Sequence, residues 1–233
     1  MTLGDARDAA GRAPLPEAVT TLESGPVVLF APHPDDDLIG PGGTVALHRR
    51  QGDPVQVVVA YDGYLGNQLH ADLPKDEFIA LREGEALKGG AHLGLDQYRF
   101  LRFPEGHEPG PSERESAAGQ LASLIHGIGP TTVYAPWVGE HNVDHHVLAT
   151  VVRRALELAS FQGNAWGYEV YTPLVPTRVV DISSTWELKA KAIAEHASQT
   201  PLTDLVHHVG GLNQHRALYL EKGATHGEAF APL

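Results

Sequence analysis

Four strand-like segments, each followed by a stretch with helical spacing, set the architecture open to this chain. Val27–Ala31 (VVLFA) is a continuous apolar run, the pattern of a strand buried on both faces of a parallel sheet. A Pro- and Gly-rich loop follows, and then a helix from Thr44 that Gly52 stops. Val55–Tyr61 (VQVVVAY) is a second strand of the same kind, and residues 75–93 read as a helix. Residues 97–102 and 131–135 read as the third and fourth strands, followed by helices over 114–128 and 144–160. This alternation predicts an α/β fold: a Rossmann-like three-layer sandwich with a mostly parallel sheet. Two further strand-like pieces, 167–171 and 178–182, and a helix over 184–197 come next, while the tail after Pro201 has no clear period. Without a repeat or a composition break, residues 25–233 read as one domain behind a disordered or loosely packed lead-in, 1–24.

Composition narrows the function. A net charge of −12 argues against nucleic-acid backbones and anionic membranes as partners. The absence of Cys removes disulfides, thiolate nucleophiles and Cys-type zinc sites. No stretch approaches the ~20 apolar residues of a membrane helix. The first residues carry acids and no apolar core, so a cytoplasmic protein is expected. Histidine, with 14 copies, is the commonest metal ligand, and its placement becomes the question.

Two loops at strand ends answer it. His33-Pro34-Asp35-Asp36-Asp37 follows the first strand, and His141-Asn142-Val143-Asp144-His145-His146 joins the fourth strand to its helix. Either alone reads as an acidic turn or a helix cap. Both together, at the sheet end where ligands of open α/β folds bind, favour a metal site. Two imidazoles and a carboxylate without thiolate suit Zn²⁺ with a position left for water, and Fe²⁺ or another divalent metal fits the same donors. Neighbouring carboxylates at Asp35 and Asp36 can divide metal binding and proton transfer between them. The GPGGT turn at 40–44 lacks a dinucleotide or Walker pattern, and no G-x-S-x-G elbow is present.

FAPHPDDDLIGPGG resembles the A-H-P-D-D-E…G-G signature of the PIG-L/LmbE-like zinc-dependent N-deacetylases, and His141-x-x-Asp144-His145 resembles their second metal motif. YDGYLG (61–66), Arg82-Glu83-Gly84-Glu85 with LGLDQYRFLRFPEG, YEVYTPLVPTRVVDIS and Lys189…His196-Ala-Ser198-Gln199 are similar to further family segments. The resemblance runs from about Val27 to about Ala217.

It implies that His33, Asp36 and His145 bind zinc and that Asp35 is the general base for an attacking water. It further implies that His141 stabilises the oxyanion or protonates the leaving amine, oriented by Asp144. Arg82, Asp62 and Glu105 match positions that contact a sugar substrate. Two departures stand out: Asp37 replaces the usual Glu, and two residues rather than one separate His141 from Asp144. The second makes Asn142 an alternative oxyanion donor.

The activity implied is removal of an acetyl group from an N-acetylglucosaminyl derivative or related amino sugar. The expected partner is thus a small N-acetylated sugar, with a homo-oligomer left open. Two alternatives are a zinc amidase acting on another amide, such as a thiol pseudo-disaccharide conjugate, and a non-catalytic Rossmann-like binding protein. An intact Asp35 beside all three ligand positions argues against the latter.

Overall fold

In the computed structural model, which describes residues 15–233, eight strands form one sheet. They are β1 (Glu17–Val19), β2 (Val27–Ala31), β3 (Val55–Tyr61), β4 (Gln97–Phe103), β5 (Thr132–Pro136), β6 (Asn164–Tyr168), β7 (Arg178–Asp181) and β8 (Gly227–Pro232). Their order is β1-β7-β8-β6-β5-β2-β3-β4. Every pairing is parallel except those of β8, which runs antiparallel between β6 and β7. The helices are α1 (Asp36–Ile39), α2 (Gly42–Arg50), α3 (Lys75–His92), α4 (Pro111–Ile128), α5 (Val143–Leu158), α6 (Trp186–Ala194) and α7 (Leu205–Arg216).

The unbroken apolar run of β2 follows from its place in the middle of the sheet. Successive side chains of a strand point to opposite faces. Val27, Leu29 and Ala31 join one core with Leu38, Val45 and Ile193. Val28 and Phe30 join a second core with Leu121 and Ile125 of α4 and with Val147 and Val152 of α5. Helices therefore cover both faces.

β2 pairs with β3 on one side and β5 on the other. From β2 the chain winds outward through β3 to β4 and then crosses to β5, so a switch point lies at the carboxyl ends of β2 and β5. The two His- and Asp-rich loops emerge there.

The sheet extends beyond the sequence expectations at three places. Glu17–Val19, inside the expected lead-in, pairs with β7 and buries Val19, whereas residues 1–14 lie outside the described residues. β6 begins at Asn164 and stops at Tyr168, because the N–H groups of Val170 and Thr172 donate to Glu140 and that of Leu174 donates to Glu169. The tail forms α7, capped by Asp204, and β8. β8 escaped the pattern because its buried Glu228 reads as polar; its carboxylate accepts the N–H groups of Gly43 and Thr44 and pairs with Lys189. No helix among the described residues is long and apolar enough to cross a membrane.

Candidate active site

The turn after β2 folds back on itself. The N–H groups of Asp35 and Asp36 donate to the His33 carbonyl, and the His33 N–H donates to Asp36 Oδ2 at 2.9 Å. Across the switch point, Asn142 caps α5 by accepting the Asp144 N–H at 2.9 Å, which fixes His145 in the first turn. The two turns bring three buried donors together. His33 Nδ1 lies 3.1 Å from Asp36 Oδ2, His145 Nε2 lies 3.2 Å from the same oxygen, and the two nitrogens are 3.3 Å apart.

These spacings match a cation site. Tetrahedral bonds of about 2.0–2.1 Å place ligand atoms roughly 3.4 Å apart. Asp36 Oδ1 is buried without a hydrogen-bond partner. The outer nitrogens face acids, as they do on metal-ligating histidines. His33 Nε2 is 3.3 Å from Asp144 Oδ2 and 3.4 Å from Glu105 Oε1, while His145 Nδ1 is 3.8 Å from Glu140 Oε2. The surroundings favour positive charge here: burial works against it, yet Asp144 and Asp36 raise the pKa of His33 to about 10. Burial likewise opposes the Asp36 carboxylate, but His145 and His33 hold it well below the usual range. The donor set is consistent with a divalent metal.

Asp35 stands beside this cluster without belonging to it. Its Oδ2 accepts from Arg82 Nη2 at 2.8 Å, and Arg82 Nη1 donates to the Gly63 carbonyl at 3.0 Å. Gly63 has φ +69°, a conformation that suits glycine, and a Cβ there would meet the Arg82 guanidinium. A cavity of about 410 Å³ opens over these groups, lined among others by His33, Asp35, Arg82, Glu105, Asn142 and Gln199.

The remaining expected residues divide. Glu105 lines the cavity and accepts the Leu65 N–H at 2.7 Å. Asp62 shapes the loop instead, accepting the N–H groups of Tyr64 and Glu105 and pairing with Lys75 at 2.8 Å. Asp144 contacts His33 and the Gly106 N–H. His141 is exposed, holds Thr172 Oγ1 through its main-chain N–H, and is not among the cavity-lining residues. Asp37 turns away to accept the Tyr98 hydroxyl at 2.6 Å, and burial pushes its carboxyl up to about 7.

Sequence reasoning missed Glu140, which backs His145 and gathers the 170–172 backbone, although it adjoins the His141 loop. It also missed Tyr171, whose ring lies 5.4 Å from that of His145.

Comparison with known proteins points the same way. The PIG-L family profile, described as GlcNAc-PI de-N-acetylase, matches residues 28–156. A 1D-myo-inositol 2-acetamido-2-deoxy-alpha-D-glucopyranoside deacetylase of Kineococcus radiotolerans is 28% identical over 63% of this chain and 52% of its own length. The enzyme of that name from Mycobacteroides abscessus is 27% identical over 76% of this chain and 82% of its own. The chain thus spans about half the length of the first of these relatives. Among solved structures, N,N'-diacetylchitobiose deacetylase from Pyrococcus horikoshii superposes with a TM-score of 0.78 at 25% identity, covering 89% of this chain and 83% of that one. The 4-carboxy-2-hydroxymuconate hydratase GalB of Pseudomonas putida KT2440 shares the fold at 18% identity, with a TM-score of 0.76 and coverage of 91% and 96%.

Proposed function

The chain belongs to the PIG-L family, and from that premise we propose that it is a zinc-dependent N-deacetylase of a small amino-sugar substrate. The observation that carries the reading is the buried His33–Asp36–His145 cluster with Asp35 held at its edge by Arg82. Relatives named for deacetylating an acetamido-glucopyranoside and diacetylchitobiose support the substrate class.

His33 Nδ1, Asp36 Oδ2 and His145 Nε2 would hold the ion. Zinc, when bound, supplies Lewis acidity toward the amide carbonyl and acidifies water at neutral pH. Asp35 takes the proton from the attacking water and returns it to the departing amine nitrogen. Arg82 fixes the Asp35 carboxylate in place for both transfers. Asn142 has its side-chain oxygen committed to the helix cap, which leaves its NH₂ as an oxyanion donor on the cavity wall; we prefer it to His141 for that reason. Glu105 offers a carboxylate to substrate hydroxyls, and residues 25–233, with β1 completing their sheet, act as one catalytic domain.

Acetate release from N-acetylglucosaminides and N,N'-diacetylchitobiose, with chelator and after zinc is restored, tests this. The reading requires chelator-sensitive acetate release from at least one such substrate. If the metal-loaded protein releases acetate from none of them, the reading is wrong.

A further inference from the structure

A second cavity of about 370 Å³ lies on the other side of the loop that borders the catalytic cavity. Its walls are mainly apolar: Tyr61, Phe103, Pro104, Ala117, Val147 and Val151. Pockets of this size take small molecules.

The loop after β4 is the ridge between the two cavities. Pro104 and His107 line the second, whereas Glu105 lines the catalytic one. Gly106, at φ +74°, makes the turn between these two directions and donates its N–H to Asp144. Tyr61 also joins the two sites. Its ring lies 5.8 Å from that of His33 on one side and packs edge-on against Phe103, 6.4 Å away, on the other. Val147 and Val151 follow His145 on α5, so both cavities sit at the carboxyl end of the sheet.

We propose that this second cavity binds an apolar group carried by the substrate itself, an alkyl or aryl aglycone that crosses the 104–107 ridge. The proposal rests on the deacetylase reading for the position of the sugar. A free effector is the less fitting occupant, because the cavity is separated from the metal cluster only by Tyr61 and one loop.

The test compares methyl, butyl, hexyl and octyl glycosides of N-acetylglucosamine, kept monomeric, on the zinc-loaded full chain. KM should fall with chain length, by up to about fourfold for each methylene that becomes buried, with kcat little changed. Ala117→Phe, and independently Val151→Phe, should abolish the gain while leaving the methyl glycoside unaffected. Equal KM for methyl and octyl glycosides in the unmodified protein overturns the proposal, as does a gain that survives both folded variants. If no glycoside is hydrolysed, the deacetylase reading has failed. Calorimetric binding of octyl against methyl glycoside, with and without Ala117→Phe, then decides the cavity separately.

Discussion

Arg82 and Asp35, 47 residues apart in the chain, form a buried ion pair at 2.8 Å on the rim of the His33–Asp36–His145 cluster. The pair sets the direction of the Asp35 carboxylate, and Arg82 is itself anchored to the Gly63 carbonyl. In the proposed mechanism Arg82 thus positions Asp35, the proposed base.

Arg82→Met should lower kcat by about 10²-fold, the scale expected when a reacting group is misplaced by roughly an ångström. It should also cost about 3–5 kcal/mol of stability, because a buried carboxylate loses its partner. Arg82→Lys should recover part of the stability. Steady-state kinetics and urea unfolding measure both effects; full activity in Arg82→Met would remove Arg82 from the mechanism.

Lys189 and Glu228 make a second buried pair at 2.7 Å, tied to the end of α1 through the Gly40 carbonyl and to α2 through the N–H groups of Gly43 and Thr44. Lys189→Met or Glu228→Gln alone should lose about 3–5 kcal/mol, since either leaves buried polar groups unmatched. The double variant should lose less than the sum of the two, as expected for groups in contact. Additive losses in urea unfolding would show that the pair is not coupled.

His48 illustrates a histidine with a structural use. Its Nδ1 bonds Asp53 at 2.6 Å and its Nε2 meets the Tyr134 hydroxyl at 3.1 Å, in a fully buried setting. Burial lowers the pKa of His48. Burial opposes the Asp53 carboxylate, but His48 and the Gly25 N–H hold its carboxyl below the usual range. Both folded-state values lie under the unfolded ones. The stability that His48 contributes is therefore present above about pH 6.5, and that of Asp53 above about pH 4, each being lost as the pH falls through the folded value. The Tm of His48→Gln should lie below that of the unmodified protein at pH 7, and the gap should narrow toward pH 4. A constant gap would rule out this role for His48.

Much of the sheet was legible because β2 and β3 are buried on both faces, which demands apolar runs, broken in β3 only at the half-buried Gln56. β8 was not, because Glu228 is satisfied by a helix N-terminus and a lysine that lie far away in sequence. α7 was hidden by two adjacent glycines and few apolar positions. At the site, strand order brings the two His- and Asp-rich loops together, whereas the choice of His33, Asp36 and His145 among their side chains came from the family resemblance; the structure places these three within 3.3 Å of one another. The tie between Arg82 and Asp35 depends on how α3 packs against the turn after β2, which no local pattern records. Asp62 looked like a ligand for substrate, yet its carboxylate is taken up by turn N–H groups and Lys75, an arrangement short polar loops commonly adopt.

In the proposed mechanism Asp35 moves protons beside a metal that it does not hold. Acetate release by zinc-loaded Asp35→Asn, paired with its metal content, separates those two roles. Stoichiometric zinc is expected, with turnover reduced by about 10²–10⁴-fold, the usual contribution of a positioned general base. Near-normal turnover with zinc still bound would show that Asp35 is not that base.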